Sequence, residues 1–209
     1  MIVLPVKVIT QPTEEPLSVD EVKHWMRLDF DFDEEDPDPD PFYQKEISLL
    51  NTLIKTAREY AELTLCQRAF AEQTLEYSTN EFKKTIKLPR PPLQSVTAFT
   101  YKDSGGTTHT LIENTDYLVD NSVEPAILIP VASWPSVKLH PIAPIKIQYV
   151  AGYTSQTMPQ EIKQWICLMV AHWYENREAI LPMGHNIMKT PYGVDTILQG
   201  YRTFGAGDD

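Results

Sequence analysis

The hydrophobic period of this sequence changes twice, and that change limits its fold more than any other feature. From residue 43 to 65, Ile47, Leu50, Ile54, Ala57, Ala61 and Leu65 recur at spacings of three and four, which predicts one long amphipathic helix. Leu53, Tyr60 and Thr64 widen its apolar face, while Lys55, Arg58, Glu59 and Glu62 fall elsewhere on the wheel. From Phe70 to Val150 the period drops to two, predicting strands at 71–78, 84–88, 95–102, 108–112, 117–119, 126–129 and 144–150. The helical period then returns after Pro159, with Ile162, Trp165, Ile166, Met169, Val170 and Trp173 on one stripe that runs to about residues 178–180. A β-rich block set between helices that pack on each other predicts an α+β chain. The expectation is a bundle of about three to four helices (17–66 and 159–200) with a β-rich insertion (70–150) between the second and third long helices, all in one subunit spanning 1–209.

Punctuation refines this reading. Ser18 and Glu21 have capping-box spacing, so a first helix opens there with Val22, Trp25, Met26 and Leu28 as its apolar stripe. Asp103-Ser104-Gly105-Gly106 predicts a hairpin turn. Leu88-Pro89-Arg90-Pro91-Pro92-Leu93 holds three prolines and reads as a polyproline-like crossover between strands. A short helix is expected at 194–199, in a tail of residues 191–209.

Charge is concentrated rather than spread. The 209 residues carry a net charge of -11, and eight acids between Asp29 and Asp40, with Asp208 and Asp209, account for ten of those eleven charges. The stretch 31–42 alternates acid and proline at Pro37, Pro39 and Pro41, so it predicts a solvent-facing loop. The body is nearly neutral and lacks a basic patch, which argues against strong binding to nucleic acid. No run of residues is long and apolar enough to span a membrane. Two cysteines and no secretion-type leader point to a cytosolic setting.

Motifs for chemistry are weak. Asp29, Asp31 and Asp33 begin like a calcium loop, but the required glycine and final glutamate are replaced by Glu34 and Asp40. His172 and Glu175 have the spacing of half a di-iron site without the other half. There is no nucleophile elbow and no phosphate-binding glycine loop, and Cys66 and Cys167 look structural. The sequence therefore predicts no catalytic residue, no metal and no cofactor. What remains is an aromatic chain, with ten tyrosines and four tryptophans, of the kind that anchors protein interfaces. Tyr192, Val194, Leu198, Tyr201, Arg202 and Phe204 are the candidate partner-binding residues, either folded back on the helices or docked on a neighbour.

Eight local strings in order carry a resemblance. They are Leu17-Ser18-x-x-Glu21-x-Lys23 with Arg27, Ala57-Arg58-Glu59-Tyr60-Ala61-Glu62, Leu88 to Val96, Asp116-Tyr117-x-Val119-Asp120, Tyr149-Val150-Ala151-Gly152-Tyr153, Pro159-x-x-Ile162-Lys163, His172 to Glu178, and Pro191-Tyr192-Gly193-Val194 with Leu198, Tyr201 and Arg202. Over residues 17–202 the chain resembles the head–tail connector, or adaptor, proteins of long-tailed bacteriophages. It departs from them in its longer Asp/Pro segment. The resemblance implies a structural virion protein of the neck, assembled in the host cytoplasm into a ring of usually twelve copies beneath the portal. Its implied partners are copies of itself, the portal protein and the next connector or tail-completion protein. Genomic DNA would pass through the channel without sequence-specific binding, and the tail would reach the portal. Two other readings stay open: a neck or tail-completion protein that does not touch the portal, and a small metal-dependent hydrolase.

Overall fold

A computed structural model describes residues 6–28, 41–176 and 191–203. The chain is mixed α+β, with helices and two antiparallel sheets. It divides into two compact units: Met1–Glu14, Gln67–Thr154 and Thr203–Asp209 form the β unit, and Glu15–Cys66 with Ser155–Arg202 form the helical unit. The acidic segment lies outside the described residues except for Pro41 and Phe42.

In the helical unit, α1 (Val19–Met26) opens on the capping box: Glu21 N donates to Ser18 Oγ at 3.1 Å and Ser18 N to Glu21 Oε2 at 2.8 Å. These bonds satisfy backbone donors that the first turn leaves free. The backbone bond from Ser18, with Lys163 nearby, holds the Glu21 carboxyl below its usual range despite partial burial. α1 closes on Arg27, whose left-handed backbone (φ 56) lets its N–H bond back into the helix. Val22 is fully buried, but Trp25 is exposed rather than part of the buried stripe.

The second helix differs from its expected form. α2 (Pro41–Tyr60) starts two residues earlier, on a proline whose missing N–H costs nothing at a first position. Beyond Tyr60 it widens into a π-helical turn, Ala61–Cys66. Leu50, Ile54, Ala57 and Ala61 are buried as the period requires. Arg58 and Glu62, expected on the outer face, are buried too, at 1% and 3% exposure. Arg58 Nε and Nη2 donate to the two carboxylate oxygens of Glu15 at 2.7 and 3.2 Å, and Nη1 donates to Glu62 Oε2 at 2.9 Å. Burial works against the charged guanidinium, but the Glu15 bonds and the charges of Glu62, Glu15 and Glu59 outweigh it and raise its pKa. Tyr60 is partly exposed, yet its ring lies parallel to Trp165 at 6.5 Å.

α3 (Gln160–Glu175) follows Pro159 and buries Ile162, Trp165, Ile166, Met169 and Val170 against α2. Its helical residues stop at Glu175, short of the expected 178–180, where Asn176 caps it: the Asn176 N–H and side-chain amide both donate to the His172 carbonyl. The tail forms a longer 3-10 helix than the 194–199 expected, Pro191–Tyr201.

The β unit holds β1 (Val6–Thr10), β2 (Gln73–Thr79), β3 (Ile86–Lys87), β4 (Leu93–Lys102), β5 (Thr108–Leu111), β6 (Tyr117–Asp120), β7 (Ile127–Pro130) and β8 (Ile145–Ala151). Seven of these match the expected strands to within two residues; β1 was not among them. They form a five-stranded sheet, β1-β2-β8-β4-β5, and a three-stranded sheet, β3-β7-β6. β8 alternates as a half-buried strand must: Ile145, Ile147, Tyr149 and Ala151 face the core. On the opposite face Lys146 and Gln148 each reach Glu76 at 3.0 Å. One core cluster joins both sheets, from Leu75, Phe99, Ile147 and Tyr149 to Ile86, Tyr117 and Leu128. Phe82 and Trp134 stack at its margin with centroids 5.2 Å apart.

Two of the sequence strings, Leu88 to Val96 and Tyr149 to Tyr153, meet residues 68–70 at one seam of this unit. Ala69 N donates to Pro91 O, Gly152 N to Pro92 O and Tyr153 N to Phe70 O. The buried Tyr149 hydroxyl donates to Pro89 O at 2.6 Å. Arg68 donates from Nη1 to the Tyr153 hydroxyl at 2.7 Å and from Nη2 to Glu124. The crossover 88–93 is not polyproline-like: Arg90 is left-handed at φ 55 and the Pro91–Pro92 bond is cis. Gly152 is required where it stands, because its φ is +112 and an added Cβ would lie 2.2 Å from the Ala71 carbonyl oxygen.

Two outcomes are expected. Arg58→Met leaves Glu62 buried without its partner and should cost about 3–5 kcal/mol in urea unfolding followed by the helical circular dichroism signal. An unchanged midpoint would show that the buried charges contribute nothing. Gly152→Ala should destabilise by about 1–3 kcal/mol for backbone conformation alone, with the Ala71 clash added, read as a lower thermal midpoint.

Candidate functional site

Among the described residues no group of three or more His, Cys, Asp or Glu side chains could hold a metal ion. Cys66 and Cys167 are free thiols and both buried. Burial, with Glu21 nearby, pushes the Cys167 thiol up to about 11, so it is protonated and unreactive near neutral pH. His172 is half-buried, and its ring lies 3.5 Å from the Asn176 amide rather than facing a second carboxylate pair. No helix of the described residues is long and apolar enough to cross a membrane. Two surfaces can be built from the described residues.

The first such surface is the tail. Leu198 is fully buried, and its carbonyl lies 3.8 Å from the Cys66 thiol, which donates to it. Tyr201 Oη donates to Glu161 Oε2 at 2.9 Å, which ties the tail to the first turn of α3. Arg202 Nε donates to the Leu65 carbonyl at 3.0 Å. That carbonyl belongs to the π-helical turn, where a free acceptor is left by the widened backbone. Three of the six candidate partner-binding residues, Leu198, Tyr201 and Arg202, are thus engaged by their own helical unit. Val194 is half-buried. Phe204 and the Tyr192 side chain lie outside the described residues. The exposed edge of the 3-10 helix carries Gly193, Asp195, Thr196, Gln199 and Gly200.

The second surface is the outward face of α2. A shallow groove of about 500 Å³ runs along Gln44, Ile47, Ser48, Asn51, Thr52 and Lys55, positions spaced so that they share one stripe. Lys55 is the one charge in that stripe. Thr52 donates its hydroxyl to Ser48 O at 2.8 Å and Thr56 donates to Thr52 O at 2.7 Å. With the Thr52 hydroxyl already bonded to the helix backbone, the stripe presents, apart from Lys55 and Ser48, methyl groups and neutral amides, so covering it strips few strong hydrogen bonds from water. Sequence reading placed Ile47 on the apolar face but did not single out this stripe, because its other residues are polar and interrupt no period. The threonine pair at i and i+4 was the available signal.

No family model matches the chain, and no curated protein sequence matches it. Solved structures do. A chain from the neck of an empty gene transfer agent (GTA) particle, computed with C6 symmetry, superposes with a TM-score of 0.70 at 18% identity, covering 97% of this chain and 96% of that one. A chain from the virion of a native GTA particle gives 0.67 at 19% identity, covering 95% of each. A chain from the neck of a native particle, computed with C12 symmetry, gives 0.60 at 17%, covering 93% and 95%. At these identities the likeness is one of fold, and it runs end to end through both units.

The anchoring of the tail is open to a direct check. Leu198→Ala should cost about 2–5 kcal/mol of stability, whereas Gln199→Ala, on the exposed edge, should stay within about 0.5 kcal/mol. Equal midpoints for the two variants in thermal unfolding would mean that the 3-10 helix is not part of the helical core.

Proposed function

We propose that the chain is a structural subunit of a virion neck, a head–tail connector that closes into a ring of twelve beneath the portal and extends the DNA channel. The observation that carries this reading is the end-to-end likeness to a chain from the neck of a GTA particle, with 97% of this chain covered. The symmetries with which those necks were computed, C6 and C12, support a cyclic arrangement here. A ring requires two different complementary faces on each subunit, in contact through a rotation that closes. The stripe of α2 is suited to one of them, because Lys55 is its one charge and sits at its end, where a neighbour can leave it in water or pair it. The near-neutral body fits a channel that DNA traverses, since a basic lumen would hold phosphates and release counterions on binding. In this reading Leu198, Tyr201 and Arg202 anchor the tail to its own subunit, while Tyr192, Val194 and Phe204 are assigned to the portal. The chain has no catalytic role, binds no membrane, and hands over to the next connector or tail protein on its far side.

Light scattering of the chain alone and mixed with its portal ring tests this. The expected mass is that of the portal plus about twelve copies, and deletion of 204–209 should weaken the association while leaving the fold intact. No association, with the portal verified intact, would make the chain a neck component that does not touch the portal.

A further inference from the structure

Arg90 stands apart from the arginines that the fold employs. Arg58 is held by Glu15 and Glu62, and Arg68 by Glu124 and Tyr153. Arg90 makes no hydrogen bond and no ion pair with any described residue, and its Nε is buried without an acceptor. Its backbone is left-handed at φ 55, a conformation unfavourable for a residue with a Cβ. Such a conformation persists only where the surroundings fix it, and here they do. Pro89 O accepts from Tyr149, Pro91 O from Ala69 N and Pro92 O from Gly152 N, while Leu88 N donates to Ala126 O. Every neighbour of Arg90 is pinned, and Leu88, Pro89 and Pro91 are buried. The loop therefore holds one half-buried guanidinium beside buried Leu88, Pro89 and Pro91, and no described residue gives its Nε the acceptor that a buried donor requires.

We propose that Arg90 is a receptor for a carboxylate carried by an adjoining copy of this chain. A guanidinium offers a planar fork that matches a carboxylate with two parallel bonds. Arg58 already binds Glu15 in that way within this chain. The chain carries 29 acids against 18 bases, so a neighbouring copy is a ready source of unpaired carboxylates. DNA phosphate is the weaker candidate, because a single arginine neutralises one phosphate and a chain of net charge -11 repels the polyanion. The adjoining-copy source rests on the ring reading above; the receptor itself does not.

The test has two arms. In the first, the full chain labelled with ¹⁵N-arginine is titrated with sodium acetate at constant ionic strength, and the Nε–H signals are followed. The Arg90 signal, assigned by its loss in Arg90→Gly, should shift saturably with a dissociation constant of order 100 mM, while that of Arg58 should not move. An Arg90 response no larger than that of Arg58 overturns the receptor. Inorganic phosphate acting at tenfold lower concentration than acetate would make it a phosphate site, and would overturn the carboxylate assignment in favour of DNA.

In the second arm, Arg90→Gly is mixed with the portal ring. Glycine accepts the left-handed backbone freely, so the variant should melt at the wild-type temperature or above it. If it melts lower, Arg90→Asn, which also tolerates that backbone, replaces it. Ring formation should weaken at least tenfold. Wild-type assembly by a well-folded variant overturns the adjoining-copy source. A wild-type chain that forms no ring overturns that source and the ring reading together, while the acetate titration still decides the receptor.

Discussion

A guanidinium that is 1% exposed has to be neutralised where it lies, and much of the helical unit is arranged around doing so for Arg58. Glu15 brings in the residues that precede α1. Glu62 lies one turn further along the helix, in the segment that widens from α to π geometry. That widening carries consequences outward, because Leu65 and Cys66, the last residues of the wide turn, are where Arg202 and Leu198 attach the tail. One buried charge thus links the entry to α1, the end of α2 and the C-terminal 3-10 helix. Removing it leaves the buried Glu62 carboxylate without its partner, and this is far more costly than losing a surface pair.

The β unit is built on a different principle. Its two sheets share an apolar core, and its seam is closed by backbone groups. At this seam the strings around Pro89–Leu93 and Tyr149–Tyr153 are recognition elements for each other. Gly152 permits the approach, Tyr149 fixes the crossover from below, and Arg68 ties the start of the unit to Glu124 and Tyr153. The same closure holds Arg90 as a cation whose Nε has no partner among the described residues.

How much of this was legible depended on whether the signal was periodic. The alternation Ile145-Lys146-Ile147-Gln148-Tyr149 and the stripe of α3 could be read directly, since burial on one face imposes the period. The capping box at Ser18 and Glu21 was equally plain. β1 escaped because Val6-Lys7-Val8 is short and only half-buried, so its alternation is faint. The π turn escaped because a 3.6-residue period assumes the helix continues unchanged, and Arg58 and Glu62 were placed outside because charged residues usually are. The pair lies at i and i+4, and that spacing could have hinted at their bond. The left-handed Arg90 could not be read from its prolines, which favour extended backbone at the residue before them. Among the partner-binding candidates, the sequence marked the tail aromatics but could not show that Tyr201 anchors the tail to its own unit.

The central claim is that this chain is a ring subunit of a virion neck. The most direct measurement is a cryo-electron microscopy reconstruction of the neck of the particle that carries it. The account predicts twelve copies of this fold around the channel axis, each with its α2 stripe covered by a neighbour and Arg90 against a neighbouring carboxylate. A neck whose density contains no ring of this fold would contradict it.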